Sequence, residues 1–427
     1  MATRNRVFLF LQGPHGPFFD RLARHLMSAG AEVWRVGFNA GDEAFWSLYE
    51  RYIPYRDAAG AWPEAFTRLI SEHHVSDLVL YGDTRPIHSQ AREIAGRAGL
   101  TVHVFEEGYM RPFWVTYERG GSNGHSRLMD MEVGEMRAAL ASGAPQSMEA
   151  PAHWGDITEH AIYGALYHLW VLARKRRYPR YRTHRAVPID REFRTYLRRV
   201  LLTPVLALRR ARRTAQIKRA GVPYHLVLLQ LEHDASFVMH SHFKRMEDFL
   251  ELSIEGFATG APRHHHLVFK AHPMESGRVG HGAMVNAIAA RHRIAERVHY
   301  VPGGKLAPIL DHARTAVTVN STAAQQALWR GIPLKVFGEA VYAKPEFVSD
   351  QSLAAFFAAP EPPDRAAYLV YRSYLLKTSQ IPGGFYSASG RRQLLRQMVD
   401  LMLRSEDPYD ALTRQVREGQ ELRLVRP

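Results

Sequence analysis

Residues 315–338 read TAVTVNSTAAQQALWRGIPLKVFG and contain the pattern of a strand, a helix and a second strand in succession. TAVTVN is a short β-rich run, STAAQQALWRG is a helical stretch that ends at a glycine, and IPLKVFG is a second apolar run. Two such runs joined by a helix of about ten residues are typical of a parallel sheet covered by helices. This stretch therefore predicts an α/β fold.

The same alternation continues in both directions from this stretch. Helical segments of similar length separate the runs, and the tail from Asp364 to Leu403 is predicted to be helical. The sequence therefore predicts two doubly wound α/β domains that face a cleft. The further predicted strands are VFLFL (7–11), AEVWRV (31–36), DLVLYG (77–82), LTVHVFEEG (100–108), YHLVLLQLE (224–232), HHLVFKAHP (265–273) and RVHYVP (297–302).

The 427 residues divide by this pattern into four parts. We expect a first Rossmann-like domain over 1–155 and a second over 221–360. A basic helical connector over 156–220 lies between them and is expected to face a membrane. Residues 361–427 are expected to form helices that pack back on the first domain.

The positive charge of the chain is concentrated in one segment. Residues 171–220 contain 17 lysines and arginines and two acids, whereas the whole chain has a net charge of +14, so the rest is close to neutral. The cations alternate with aromatic and aliphatic residues, which is typical of basic helices on an anionic membrane surface. We expect Arg174, Lys175, Arg176 and Arg177 to contact the membrane or an acceptor.

Two alternatives remain for this segment. It could be a solvated, arginine-rich helical linker, or it could bind nucleic acid. The sequence contains no zinc-finger, RNP or recognisable helix-turn-helix pattern, so we expect no nucleic-acid partner.

The sequence lacks the residues and motifs that several classes of protein require. The absence of cysteine excludes disulfides, thiolate nucleophiles and cysteine-ligated metals. No GxGxxG or GxxxxGK[ST] fingerprint supports a dinucleotide-dependent or P-loop enzyme. The histidines at 264–266 lack metal-ligand spacing and point to alternate faces of a strand, and we expect neither a metal nor another cofactor. The apolar runs are also too short for a signal peptide or a membrane span.

Candidate chemistry lies where the predicted strands end, because open parallel sheets bind ligands beyond the carboxyl ends of their strands. Ser321 and Thr322 open a predicted helix whose N–H groups favour an anion such as phosphate. The alternative for Ser321 is an ordinary helix cap. The other candidates at strand ends are Glu106, Glu107, Gln230, Glu232, Asp234, Lys270, His272, Pro273 and Asn320.

Six segments, in order and over nearly the whole chain, resemble one known family, the capsule polysaccharide export proteins of the KpsS/LipB type. The resemblance implies a GT-B fold and a retaining β-Kdo glycosyltransferase. One departure is His233, where a smaller or non-aromatic residue is expected. The matching segments are FLQGPHGPFFDRLARHL, FEEGYMRPFWVTYERGGSNGHS, QLEHDASFVMHSHF, VFKAHP, VTVNSTAAQQALWRGIPLKVFGEAVY and YLLKTSQIPGGFYS.

The family is similar in turn to bacterial sialyltransferases, which hold a CMP-sugar with D/E-D/E-G, HP and Ser-Ser/Thr motifs. These motifs fall on Glu106-Glu107-Gly108, His272-Pro273 and Ser321-Thr322. The resemblance implies that the second domain binds CMP-β-Kdo through its single phosphate linkage, without a metal. With the strand-end candidates added to the residues of these motifs, the expected donor-binding residues are Gln230, Lys270, His272, Pro273, Asn320, Ser321 and Thr322.

The resemblance also implies an acceptor and a location. The acceptor is expected to be a lysophospholipid, namely lyso-phosphatidylglycerol, bound on the side of the first domain, so that the reaction starts the poly-Kdo linker of capsular polysaccharide. The protein is expected on the cytoplasmic face of the bacterial inner membrane, with other capsule biosynthesis or export proteins as partners. The alternatives are a non-catalytic export or assembly subunit and a GT-B enzyme that uses another nucleotide sugar.

Retention by double displacement needs a carboxylate nucleophile and a second group that takes the acceptor proton. Asp234 is the expected nucleophile, because QLEHDASF matches the family segment associated with the covalent step, and Glu107 is the expected acid/base. Glu232 is the rival nucleophile, since it lies two residues from Asp234 and shares its face if the strand continues that far. Pairing with nearby arginines is the alternative for these acids.

Overall fold

The structure is a computed structural model in which the chain divides into two compact units. Unit 1 comprises Met1–Asp130, Arg137–Arg194 and Ser373–Pro427, and unit 2 comprises Met131–Met136 and Thr195–Arg372. Each unit is described by itself below. The residues that the structure describes are 6–111, 113–140, 157–181, 205, 207–208, 210–232, 235–272, 275 and 280–414.

Strands and helices alternate along most of the described chain. The strands are β1 (Val7–Phe10), β2 (Glu32–Gly37), β3 (Tyr52–Pro54), β4 (Asp77–Tyr81), β5 (Thr101–Glu107), β6 (Trp114–Arg119), β7 (Tyr224–Leu228), β8 (His266–Lys270), β9 (Val298–Val301), β10 (Ala313–Thr318), β11 (Leu334–Val336) and β12 (Gln380–Pro382). The helices are α1 (Phe18–Ser28), α2 (Ala40–Ala44), α3 (Trp62–Glu72), α4 (Pro86–Arg97), α5 (Val133–Leu140), α6 (Ile157–Ala173), α7 (210–220), α8 (Ala235–Met239), α9 (Met246–Gly260), α10 (His281–Arg291), α11 (Ala307–Leu310), α12 (Gln325–Trp329), α13 (Leu353–Ala358), α14 (Arg365–Thr378), α15 (Ala388–Leu403) and α16 (408–414).

Unit 1 contains a seven-stranded sheet in the order β3-β2-β1-β4-β5-β6-β12. Its first five strands are parallel, while β6 runs antiparallel to both of its neighbours, β5 and β12. Successive side chains of β1 enter opposite cores, since Phe8 packs with α1 and α15 whereas Leu9 packs with α3 and α4. Helices therefore cover this sheet on both faces.

Unit 2 contains a five-stranded, fully parallel sheet in the order β9-β8-β7-β10-β11. The parallel strands of both units thus follow the doubly wound order 3-2-1-4-5. Such a sheet has a switch point, between β1 and β4 in unit 1 and between β7 and β10 in unit 2, where ligands bind beyond the strand ends. The predicted α/β class with two doubly wound sheets is confirmed.

The structure differs from the predicted division of the chain in two places. Helix α6, expected to begin a separate connector over 156–220, contacts α2 within unit 1, and α7 belongs to unit 2. The tail, expected to be helical from Asp364 to Leu403, is interrupted by β12. A three-residue strand that ends in a proline lies at the edge of a sheet and carries too little periodicity to be predicted.

None of the helices in the described part of the chain is long and apolar enough to cross a membrane.

The structure predicts that α15 is an integral part of unit 1. Met398 is fully buried in a core formed with α1 and β1. We expect Met398→Ala to lower the free energy of unfolding by about 2 to 5 kcal/mol, because it leaves a cavity that neighbouring side chains fill only partly. Urea unfolding followed by circular dichroism measures this. Gln397→Ala, at the exposed neighbouring position, is the control; equal stability of the two variants would contradict the packing.

Candidate functional site

Two amide side chains are hydrogen-bonded to each other at the switch point of unit 2. Gln230 follows β7 and Asn320 follows β10, and both are buried. Gln230 Nε2 donates to Asn320 Oδ1 at 2.8 Å, and the Asn320 backbone N–H donates to Gln230 Oε1 at 3.1 Å. Asn320 Nδ2 also donates to the His240 carbonyl at 3.0 Å. These reciprocal bonds fix the positions of both strand ends without placing a charge there.

Ser321 lies directly beyond this amide pair. Its Oγ accepts a hydrogen bond from the Ala323 N–H at 3.3 Å, and its carbonyl accepts one from the Tyr342 hydroxyl at 2.6 Å. The expected helix starts as a 3₁₀ turn over Thr322–Ala324 and continues as the five-residue α12. Ser321 therefore acts as a cap in this structure, while its hydroxyl proton can still be donated to a ligand. Thr322 is half-buried beside it.

Two cationic side chains lie at the neighbouring strand ends of unit 2. Lys270, the last residue of β8, is buried, and its Nζ donates to the Ala271 carbonyl at 3.0 Å. Arg210 of α7 donates from Nε to the Pro302 carbonyl, beyond β9, at 2.8 Å. Burial, together with the positive charge of Arg210, lowers the pKa of Lys270 to about 8. Arg210 could not be identified from the sequence, because its position beside β9 depends on the fold.

His272 lies two residues beyond Lys270 and is half-buried. Its carbonyl accepts a hydrogen bond from the Glu275 N–H at 2.9 Å. The structure thus brings Gln230, Asn320, Ser321, Lys270 and His272 to one edge of one sheet. Pro273, the other half of the predicted motif, lies outside the described residues.

The rival nucleophile Glu232 has a defined structural contact. β7 ends at Leu228, so the prediction that this strand extends to Glu232 is wrong, and the condition for Glu232 to share a face with Asp234 is not met. Instead, Glu232 Oε1 accepts a hydrogen bond from the Met246 N–H at 3.1 Å, at the beginning of the 15-residue helix α9. A carboxylate at a helix N-terminus stabilises that helix. Asp234 lies outside the described residues.

In unit 1 the carboxyl end of β5 carries Glu107 within a group of polar aromatic residues. The Tyr81 hydroxyl donates to Glu107 Oε1 at 3.1 Å, and the hydroxyls of Tyr81 and Tyr386 are 3.3 Å apart. The His160 ring of α6 stacks on Tyr386 with 3.9 Å between ring centres. Burial lowers the pKa of His160, and the charge of Glu107 opposes this shift. Sequence reasoning missed these three neighbours, which come from distant parts of the chain.

Glu106 lies on the opposite face of β5 from Glu107. Its Oε1 accepts the Glu107 N–H at 3.1 Å, and burial together with the negative charges of Glu107 and Asp83 raises the pKa of Glu106 to about 7. Asp83 is itself buried and accepts hydrogen bonds from His125 and from the Ser122 N–H, both at 3.0 Å. A carboxyl group that titrates near neutral pH can donate or accept a proton in catalysis.

Position 108, the last of the predicted Glu106-Glu107-Gly108 motif, requires glycine for a steric reason. A Cβ at this position would lie 2.2 Å from the Trp114 carbonyl oxygen, so any larger residue would push β6 away from β5. The glycine therefore holds Glu106 and Glu107 against the neighbouring strand.

The predicted membrane or acceptor cations lie just beyond α6 in unit 1. Arg174, Lys175, Arg176 and Arg177 are all exposed. Arg177 pairs with Glu43 at 2.8 Å, and the Arg174 guanidinium lies 4.5 Å from the ring centre of Trp170. Most of the remaining basic segment, 182–204, lies outside the described residues.

The two units thus offer different chemistry at their strand ends. Unit 2 presents a lysine, an arginine, a histidine and hydroxyl groups, which suit an anionic ligand. Unit 1 presents carboxyl groups and tyrosines, which suit proton transfer. Among the described residues, no group of three His, Asp or Glu side chains could hold a metal ion.

Comparison with known proteins places these features in a family context. A family profile described as capsule polysaccharide biosynthesis protein matches residues 76–386. The chain is 33% identical over 387 residues to the capsule polysaccharide modification protein LipB of Neisseria meningitidis serogroup B, covering 89% of this chain and 91% of that protein. It is 29% identical over 383 residues to the capsule polysaccharide export protein KpsS of Escherichia coli, covering 89% of this chain and 97% of that protein.

A comparison of folds finds similar solved structures. The beta Kdo 2,7 transferase of Thermosulfurimonas dismutans KpsC is similar with a TM-score of 0.44 and 13% sequence identity, over 93% of this chain and 100% of that chain. Anabaena HepE in complex with UDP and glucose is similar with a TM-score of 0.35 and 10% identity, over 97% of this chain and 99% of that chain.

The amide pair at the switch point predicts a specific loss of stability. Asn320→Leu would leave the buried Gln230 Nε2 without its acceptor, and it would remove one of the two N–H groups that donate to the His240 carbonyl, the other being the Glu339 N–H. We expect the free energy of unfolding to fall by about 2 to 4 kcal/mol, measured by urea denaturation. The control is Asn286→Leu, an exposed asparagine on α10 of the same unit. Similar stability of the two variants would show that the pair contributes little.

Proposed function

Because this chain belongs to the capsule polysaccharide biosynthesis family, we propose that it is a retaining glycosyltransferase that moves Kdo from CMP-β-Kdo to a lysophospholipid. The acceptor under this proposal is lyso-phosphatidylglycerol, and the product begins the poly-Kdo linker of capsular polysaccharide. The observation that carries the proposal is the set of cationic and hydroxyl groups at the switch point of unit 2, which suit a phosphate. The named relatives modify or export capsule polysaccharide, which supports a role in the same process.

The groups in unit 2 suit a ligand with one phosphate. Lys270 supplies one buried ammonium group, Ser321 supplies a hydroxyl, and His272 lies two residues beyond Lys270. The neutral amides of Gln230 and Asn320 are beside them, where a sugar or base would meet hydrogen-bonding groups rather than charge. A CMP-sugar carries a single phosphate between nucleoside and sugar, so one ammonium group and a few neutral donors can bind it.

Double displacement retains the configuration at the anomeric carbon of Kdo in two steps. The Asp234 carboxylate attacks the anomeric carbon of Kdo, the bond from that carbon to the phosphate oxygen breaks, and CMP leaves with the electron pair. The acceptor hydroxyl then attacks the same carbon, the bond to Asp234 breaks, and a base takes the hydroxyl proton. Glu232 is the less suitable nucleophile, because its carboxylate already accepts a hydrogen bond at the start of α9.

We assign the proton transfer to a carboxyl group of unit 1. Glu107 is the proposed acid/base, and the hydroxyl of Tyr81 holds its Oε1 in place. Glu106 is the rival, because its raised pKa suits a group that exchanges a proton near neutral pH. The reaction is proposed to take place at the anionic surface of the bacterial inner membrane, on the cytoplasmic side, where the lipid acceptor is found.

CMP binding is expected to depend on pH through Lys270. The ammonium form of Lys270 binds phosphate, and its lowered pKa means that this form is lost as pH rises through about 8. We expect CMP affinity, measured by calorimetry, to fall by about tenfold per pH unit above pH 8. Lys270→Met should bind weakly with no such dependence, whereas Lys305→Met, at an exposed lysine of unit 2, should behave like the wild type.

The same titrations test the rest of the phosphate site. His272→Ala and Ser321→Ala should each weaken CMP binding by about 1.5 to 3 kcal/mol, the value of a hydrogen bond to a charged group. Unchanged affinity in both variants would remove these residues from the site. Tighter binding of UDP than of CMP would argue for a different nucleotide sugar.

The proposed covalent intermediate can be detected by its mass. Intact-mass analysis of the enzyme with CMP-β-Kdo and no acceptor should show a Kdo adduct that is absent in Asp234→Ala, although that variant still binds CMP. Glu232→Gln is the matched control, because its amide oxygen can still accept the Met246 N–H. An adduct that persists in Asp234→Ala and disappears in Glu232→Gln would make Glu232 the nucleophile.

Transfer from the preformed adduct to acceptor tests the acid/base assignment. Glu107→Gln should form the adduct but slow its transfer by about a hundredfold or more. A larger loss in Glu106→Gln would move this role to Glu106, and full activity in both variants would remove the pair from the mechanism.

A further inference from the structure

Helix α6 of unit 1 has large aliphatic side chains on its outer surface. Ile162, Leu166 and Leu169 are 55%, 39% and 50% exposed, and their spacing places them on one side of the helix. The smaller Ala161 and Ala165 beside them are also exposed. These five residues, hereafter the outer face of α6, form an apolar stripe of the kind that marks an interaction surface.

The opposite side of α6 is held firmly to unit 1 by polar contacts. The Tyr167 hydroxyl donates to Asp42 Oδ1 at 3.0 Å and accepts from Asn39 Nδ2 at 2.7 Å. Its ring stacks on His15 with 4.4 Å between ring centres. The helix is therefore fixed against the carboxyl ends of β1 and β2, and its outer face is presented by a rigid support.

The residues that follow α6 along the chain are positively charged. Glu159 is the one acid of α6, and its carboxylate accepts the Ala388 N–H at 3.1 Å and lies 3.5 Å from Arg391. The exposed residues Arg174 to Arg177 follow the helix, and in the described part of the chain Lys175 and Arg176 have no carboxylate partner. An apolar stripe beside unpaired cations complements an anionic lipid surface, whereas two copies of this face would bring like charges together.

The dimensions of α6 fix how it could meet a membrane. Its 17 residues span about 25 Å, which is shorter than the roughly 30 Å hydrocarbon core of a bilayer. Its inner side is hydrogen-bonded to the rest of unit 1. The helix can therefore lie along the lipid surface with its outer face in contact with lipid, but it cannot be surrounded by lipid.

We propose that α6 is the membrane-binding helix of this protein, with Ile162, Leu166 and Leu169 inserted among the acyl chains and Lys175 and Arg176 on lipid phosphates. This inference rests on the proposed membrane location of the enzyme and identifies the surface responsible. It goes beyond the basic segment alone, because it assigns insertion to aliphatic side chains.

Site-specific labelling tests the insertion directly. The chain has no cysteine, so Leu166→Cys can be labelled with the polarity-sensitive dye NBD at one position. Vesicles of phosphatidylcholine with 30% phosphatidylglycerol should raise NBD emission severalfold and shift it to shorter wavelength. Met27→Cys is the control, since Met27 is similarly exposed in the same unit but lies at the end of α1, towards the amino ends of the strands. Equal responses at the two positions would overturn the proposal.

Binding to the same vesicles tests the two parts of the surface. Changing Ile162, Leu166 and Leu169 together to Gln should weaken binding about tenfold or more in sedimentation assays, while Met27→Gln should not. Lys175→Ala with Arg176→Ala should weaken it about thirtyfold at low salt. Unchanged vesicle binding of the triple variant would overturn the proposal. If the triple variant kept vesicle binding but lost self-association of the protein, the outer face of α6 would be a contact between copies of this chain, which would also overturn the proposal.

A separate assay distinguishes this inference from the proposed reaction. Transfer of Kdo to a short-chain, water-soluble acceptor without vesicles should be unaffected by the triple variant. If the wild type shows no such transfer but the labelled Leu166 still enters vesicles, the reaction is wrong and the membrane surface stands. If transfer occurs and Leu166 stays in water, the membrane surface is wrong and the reaction stands.

Discussion

A parallel sheet that is covered on both faces leaves its strand ends as the place for polar chemistry, and both units of this chain are built on that constraint. In unit 2 the helices after β7 and β10 diverge to opposite faces, and the strand ends between them must be held by their own side chains. The hydrogen bonds between Gln230 and Asn320 do this without introducing charge. Ser321 and the turn after it depend on that pair for their position.

The same constraint has opposite electrostatic outcomes in the two units. In unit 1 the ends of β4 and β5 bring together Asp83, Glu106 and Glu107, and burial together with the negative charges of its neighbours raises the pKa of Glu106 to about 7. In unit 2 burial and Arg210 lower the pKa of Lys270, so its charge is retained only below about pH 8. Each set therefore changes its protonation state within the range in which an enzyme works, which ordinary surface acids and lysines do not.

The sequence was sufficient for the parallel core strands and for most of the candidate residues, because both follow from local patterns. Continuous apolar runs identify β1, β4, β5, β7, β8 and β10, and the polar residues just after them are visible by position. The antiparallel strand β6 was not predicted, although it lies inside the sheet of unit 1. The edge strands β3 and β12 were not predicted either, since three residues show no periodicity. Tyr81, Tyr386 and Arg210 were also missed, because their relation to Glu107 or Lys270 depends on contacts between distant segments.

Helix α6 shows why amphipathicity can mislead when it is judged by sequence alone. The polar aromatic residue Tyr167 points inwards to buried hydrogen-bond partners, while the aliphatic residues Ile162, Leu166 and Leu169 point outwards. This distribution is the reverse of an ordinary surface helix, and the sequence reads as apolar on all sides. Leaving Ile162, Leu166 and Leu169 in water has a cost that a lipid surface removes, because acyl chains accept aliphatic groups and anionic headgroups attract the cations that follow them. The proposed membrane surface would thus explain the unusual orientation of this helix.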